Sequence, residues 1–255
     1  MSEIILYEKR GNISVLSINR PDALNALNAE VNLGLLDVLE KAEQDDDVKV
    51  VILKGVGNKA FVAGADIKEM LPLSSSEARD HALRSKKVAD KLWNMGKPVI
   101  AMINGYCLGG GLEYAMACDL RIASEHSKFG LPEVTLGIIP GTAGTQRLPR
   151  LIGLTKAKEY AMTGEIFNAQ KALELGLINH IYTAEALEEE TMMIAKKIAS
   201  RSSFAVKMIK TAMNKGTETD LETASLFEIN CFALCFSTQD QKDGMKSFVE
   251  KTKKK

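Results

Sequence analysis

Residues 98–123 read PVIAMINGYCLGGGLEYAMACDLRIA. An apolar strand from Pro98 to Ile103 runs into a glycine-rich turn, a short apolar helix from about Gly110 to Cys118, and a second strand from Leu120 to Ala123. That succession decides for an α/β fold, and the flanking sequence repeats it. Upstream, Val31, Leu35, Leu36, Val38 and Leu39 fall at helical spacing within Asn28 to Glu43, and Val48 to Leu53 follows as a β-branched strand. Ser74 and Glu77 match a capping box that opens a helix to about Met95, where Gly96 and Pro98 stop it. At the start, Ile4–Glu8 and Ile13–Ile18 flank Lys9-Arg10-Gly11-Asn12 in the pattern of a β-hairpin. Strand, strand, helix recurs to about Tyr182. Beyond Thr155 helices dominate, with candidates at Ala157–Met162, Ala169–Leu175, Glu185–Ala199, Phe204–Asn214 and Leu221–Phe236.

The chain has 255 residues, enough for a sizeable core, and its 33 basic and 33 acidic side chains leave no net field to attract nucleic acid or an anionic membrane. Charge is biased only at Lys251–Lys255, read as a solvated, frayed terminus. Cys107, Cys118, Cys231 and Cys235 are few for this length and follow no segment read as a secretory leader, so a reducing cytoplasm is the expected compartment. His81, His126 and His180 are scattered without metal-ligand spacing, and no metal is expected. The most apolar stretch, Pro98–Cys118, is interrupted by Asn104, glycines and Glu113, which argues against a membrane span.

Three clusters carry candidate chemistry. In Phe61-Val-Ala-Gly-Ala-Asp-Ile-Lys68, Gly64 permits a sharp turn that leaves the N–H of Ala65 without a helical partner, an anion or oxyanion donor; an ordinary loop capped by Asp66 fits that segment equally well. Asn104–Glu113 places three glycines at the start of an apolar helix, concentrating free N–H groups and the positive helix end. It fits neither a phosphate loop, which follows its glycines with Lys and Ser or Thr, nor a dinucleotide turn. Glu113 is a lone carboxylate in that apolar helix, where the plain alternative is that it only favours the helix dipole. Glu133, in Phe129-Gly-Leu-Pro-Glu133, is another carboxylate in apolar company and equally readable as surface. Their separation forbids a shared helix face, and spacing alone does not bring them together.

Those motifs, with Asn19-Arg20-Pro21, Ala23–Leu27, Pro140–Leu148 and Phe236-Ser-Thr-Gln-Asp240, resemble the crotonase, or enoyl-coenzyme A hydratase/isomerase, family over essentially the whole chain, most closely its bacterial short-chain members. The resemblance implies a spiral of strand-strand-helix units carrying the active site over 1–190, then a helical trimerisation region over 191–255, assembled as a homotrimer or as two trimers stacked into a hexamer. It implies reversible addition of water to the 2,3 double bond of a short-chain enoyl-CoA, with coenzyme A (CoA) as part of the substrate and no separate cofactor. By the same resemblance Glu113 and Glu133 are the catalytic acids, Ala65 and Gly110 the oxyanion donors, and Gly141 helps hold the water. Ala63, Ala65, Asp66, Ile67 and Lys68 would hold the adenine end of CoA, and Phe248 and Lys251 would approach it from the tail of a neighbouring subunit.

The sequence departs from the family pattern at Leu131, where many relatives have glutamine, at Val62, where a small residue is frequent, and at Ala143, where glycine is usual. These bear on the shape of the acyl pocket, which Met70 is also expected to bound. The rivals are another acyl-CoA reaction on the same fold, such as double-bond isomerisation, and a non-catalytic RNA-binding relative. Retention of both glutamates argues against the first, neutral net charge against the second.

Overall fold

The computed structural model describes residues 3–252. Strands β1 (Ile5–Arg10) and β2 (Ile13–Ile18) form an antiparallel hairpin, as their alternation predicts. Helix α1 (Ala29–Gln44) starts where the Asn28 side chain accepts the Val31 N–H at 2.9 Å and returns the chain to β3 (Val50–Gly55), parallel to β2. Then β4 (Ala60–Val62) leads through the short α2 (Ile67–Met70) to α3 (Ser75–Asn94), which opens with the expected Ser74–Glu77 capping box.

The same unit recurs as β5 (Val99–Ile103), β6 (Tyr106–Leu108) and α4 (Gly110–Ala117), and again as β7 (Leu120–Ser124), β8 (Lys128–Gly130) and a 3-10 turn at Pro132–Leu136. In each round the first strand joins a large parallel array and the second joins a smaller one. After α5 (Gly144–Ile152) and α6 (Leu154–Thr163), β9 (Phe167–Asn168) closes the small sheet in the order β4-β6-β8-β9. Helix α7 (Ala169–Glu174) and β10 (His180–Tyr182) complete the large sheet in the order β1-β2-β3-β5-β7-β10. The strand-strand-helix recurrence is therefore a spiral, each turn adding one strand to both sheets.

Val50–Leu53 of β3 and the whole of β5 are continuous apolar runs because both of their faces are covered. On one face Leu53 joins Leu35, Leu39, Phe61, Leu92 and Leu112 in the main core between the sheets and α1, α3 and α4. On the other, Val15, Ile52 and Ile100 pack against Leu187 and Ala195 of α8 (Leu187–Ala199). The expected division at 190/191 falls inside α8, which packs on the large sheet.

Helix α9 (Ser203–Gly216) is tied to this body by Lys210, whose buried Nζ donates to Asp119 at 2.8 Å and to the carbonyls of Leu92 and Lys97 at 3.1 and 3.2 Å. Helix α10 (Leu221–Cys235) packs on α9 but leaves Leu226, Ile229 and Phe232 exposed, and α11 (Gln239–Thr252) leaves Phe248 73% exposed. Two of the helices have no counterpart among the individual helix candidates, although α11 lies in the region expected to be helical. The periodicity singles out no helix at α5, where glycines fill the approach and Pro149 sits inside, nor at α11, whose composition is strongly charged. Of the lysine-rich end read as a frayed terminus, Lys251 belongs to α11, with its side chain outside the described part, and Lys253–Lys255 lie outside the described residues. No helix among the described residues is long and apolar enough to cross a membrane.

Candidate active site

Helix α4 lies between the layers with every residue from Gly111 to Ala117 buried, so the Glu113 carboxylate in its first turn is taken out of water. It is not left alone. Oε1 accepts the N–H groups of Thr142 and Gly144, both at 2.7 Å, from the loop that leads into α5. Burial raises the Glu113 pKa, and those two N–H groups pull it back. Glu133 begins the 3-10 turn behind Pro132, with Oε2 enclosed and unpartnered among the described residues. Its pKa is pushed up to about 7, first by burial and further by the charge of Glu113, against a lowering contact from its own backbone. One carboxylate is therefore held as an acceptor, while the other carries a proton that is readily given or taken near neutral pH.

Two glycine corners face one another beside this pair. Gly64 has φ of 116° and Gly109 φ of 50°, conformations open to glycine and strained for other residues. The first corner lies against Leu27, which donates its N–H to Gly64 O at 2.9 Å and accepts Asp66 N–H at 2.8 Å. By strand alternation the intervening Ala65 N–H points the opposite way. The second corner starts α4 at Gly110, whose N–H has no partner within the helix. A Cβ placed on Gly110 would stand 3.8 Å from Ala65 N, so the two N–H groups, neither bonded among the described residues, are neighbours. Ala65, Gly110, Glu113, Glu133 and Gly141 all line one cavity of about 560 Å³, with Ala63, Ile67 and Met70 along its wall.

Asp66 and Lys68 do not reach into that cavity: the Asp66 carboxylate caps α2 by accepting Lys68 N–H at 3.2 Å and pairs with Arg20 at 3.0 Å. Phe248 does not reach it within this chain either. Sequence reasoning missed the Thr142–Gly144 cradle, whose N–H groups carry no side-chain signature, and the wall formed by Ala78, His81, Ala82 and Ser85, whose spacing was legible as one face of α3. Among the described residues no three His, Cys, Asp or Glu side chains gather as a metal-binding group.

Residues 8–255 match the enoyl-CoA hydratase/isomerase family. The chain belongs to that family. It is 47% identical over 251 residues to the crotonyl-CoA hydratase of Syntrophomonas wolfei, covering 98% of this chain and 96% of the relative. It is also 47% identical over 249 residues to a short-chain-enoyl-CoA hydratase of Clostridium acetobutylicum, at 98% and 95% coverage. Its fold superimposes on the crystal structure of an enoyl-CoA hydratase from Bacillus anthracis with a TM-score of 0.94 at 39% identity, covering 97% and 96% of the two chains.

Of the positions expected to depart from the family pattern, Leu131 is a buried core residue and Val62 is pressed against Gly111 of α4. Ala143 sits between the two donors to Glu113 at φ of 70°, the left-handed region that costs an alanine about 1–2 kcal/mol. Ala143→Gly removes that strain at an entropic cost of about 0.5–1 kcal/mol. The expected result is a net gain of about 0.5 kcal/mol in denaturant unfolding with turnover within about twofold of wild type; destabilisation would mean that the left-handed turn is unstrained.

Proposed function

We propose that this chain is a short-chain enoyl-CoA hydratase, a hydro-lyase that adds water reversibly across the 2,3 double bond of crotonyl-CoA to give 3-hydroxybutyryl-CoA. The observation that carries the reading is the pairing, in one cavity, of a cradled carboxylate at Glu113 with a near-neutral acid at Glu133 beside two free backbone donors. The names of the two bacterial relatives support the short-chain assignment.

In the proposed mechanism the thioester oxygen lies between the N–H groups of Ala65 and Gly110. Glu113 accepts a proton from a water held near Gly141 as its oxygen attacks the β-carbon. Negative charge then develops on the thioester oxygen, where an aimed donor contributes on the order of 3 kcal/mol to lowering the barrier. Glu133 delivers its proton to the α-carbon, and dehydration runs the same steps backwards. Ala63 and Ala65–Lys68 hold the adenine end of CoA through their backbone. The exposed apolar faces of α10 and α11 support assembly into trimers, or hexamers of two trimers, through which Phe248 and Lys251 of a neighbouring copy approach the nucleotide. Cytoplasmic placement accords with the free thiols of all four cysteines.

The deciding experiment is loss of conjugated-thioester absorbance when the purified protein meets crotonyl-CoA, beside a longer enoyl-CoA. Rapid loss on the short substrate is expected. Absence of loss on both, with CoA still bound, would overturn hydration in favour of isomerisation or another acyl-CoA reaction of this fold.

A further inference from the structure

The wall of the cavity contributed by α3 is not uniformly apolar. Ala78, His81, Ala82 and Ser85 lie on one helical face, and all four line the cavity. The wall stands beside the reacting centre, since a Cβ on Gly141 would meet Ala82 at 3.6 Å and the next residue, Thr142, donates to Glu113. His81 is 6% exposed, and its Nδ1 is enclosed without a hydrogen bond among the described residues. Glu69 Oε1 stands 3.5 Å from that nitrogen, while its other oxygen is engaged by the Ala29 N–H at 3.0 Å. Ser85 is also 6% exposed; Oγ accepts from Asn32 Nδ2 at 3.1 Å, and its own proton has no acceptor among the described residues. Asn32 is fixed in turn by Tyr114, whose hydroxyl donates to Oδ1 at 2.7 Å, so Ser85 cannot turn away without breaking a buried network.

We propose that His81 and Ser85 form a polar stop that sets the acyl-chain length this cavity accepts. The inference rests on the reading of the cavity as the acyl-thioester site and deepens it. A four-carbon chain extends one methyl group past the β-carbon, leaving water between its end and the α3 wall. A longer chain replaces that water with methylenes beside the imidazole and beside a hydroxyl proton that no described residue accepts, which opposes binding more strongly than the added apolar contact favours it.

The test uses the full-length protein and two saturated, unreactive thioesters, butanoyl-CoA and octanoyl-CoA, with Kd measured by calorimetry. His81→Leu is expected to shift the ratio of the two Kd values about 10-fold toward octanoyl-CoA, and Ser85→Ala to shift it in the same direction by a smaller factor. An unchanged ratio in folded variants overturns the proposal, and so does equal weakening of both ligands, which would mark the pair as merely structural. Should His81→Leu fail to fold, Ser85→Ala alone decides by the same ratio. Because neither thioester reacts, wild-type protein that binds both but hydrates nothing would sink the hydratase reading while leaving this inference standing. Wild-type protein that binds neither would sink both.

Discussion

Glu133→Gln is expected to lower the turnover of crotonyl-CoA hydration by about 100-fold or more, because the amide keeps the size of the side chain but has no acidic proton to deliver to the α-carbon. The pH dependence gives a second, independent reading. Glu133 is shifted from 4.5 to about 7, so the neutral acid needed for hydration is lost as pH rises through about 7, and the carboxylate needed for dehydration is lost as pH falls through the same value. Hydration and dehydration rates should therefore bend in opposite directions near pH 7, and Glu133→Gln should remove the bend from what activity is left. The sign for stability is also fixed. The folded state binds this proton more tightly than the unfolded chain, so stability falls as pH rises from about 4.5 toward 7. Glu133→Gln abolishes that fall, and the variant should melt above wild type at pH 8. Near-normal turnover with an unaltered pH profile would remove Glu133 from the proposed mechanism.

The sequence made the frame legible where physical periodicity is strong. The apolar runs read at Val48–Leu53 and Pro98–Ile103 and the capping box at Ser74 each announce themselves locally; the structure keeps the capping box and sets the two strands at Val50–Gly55 and Val99–Ile103. Helix α5 was hidden because the feature that starts it, a left-handed Ala143 followed by Gly144, looks like loop chemistry in one dimension. The site divides in the same way. Glu113 and Glu133 were conspicuous as carboxylates in apolar sequence, but their meeting depends on the spiral, which stacks β6 and β8 in one small sheet and so brings the ends of two successive turns to one cavity. Backbone contributions were the least legible. The free donor at Ala65 follows from its pairing with Leu27, distant in sequence, and the cradle for Glu113 is made of N–H groups that any residues would supply.

That cradle makes Glu113→Gln the sharper test of the two carboxylates. The amide oxygen of Gln can still accept the N–H groups of Thr142 and Gly144, so the loop into α5 keeps its partner and the fold is expected to remain intact. What disappears is the capacity to accept a proton from the attacking water, and turnover should fall by about 100-fold or more with KM changed only a few-fold, because the lost interaction belongs to the transition state. Burial raises the pKa of Glu113, so its ionised form opposes folding and stability falls as pH rises through the carboxylate range; the neutral amide should therefore be at least as stable as wild type at pH 7. A stable and nearly inactive Glu113→Gln would show a residue kept for chemistry at some expense to the fold. A variant that loses stability and activity together would instead make Glu113 an anchor for the 142–144 loop, and the activation of water would have to be sought in another group of the same cavity.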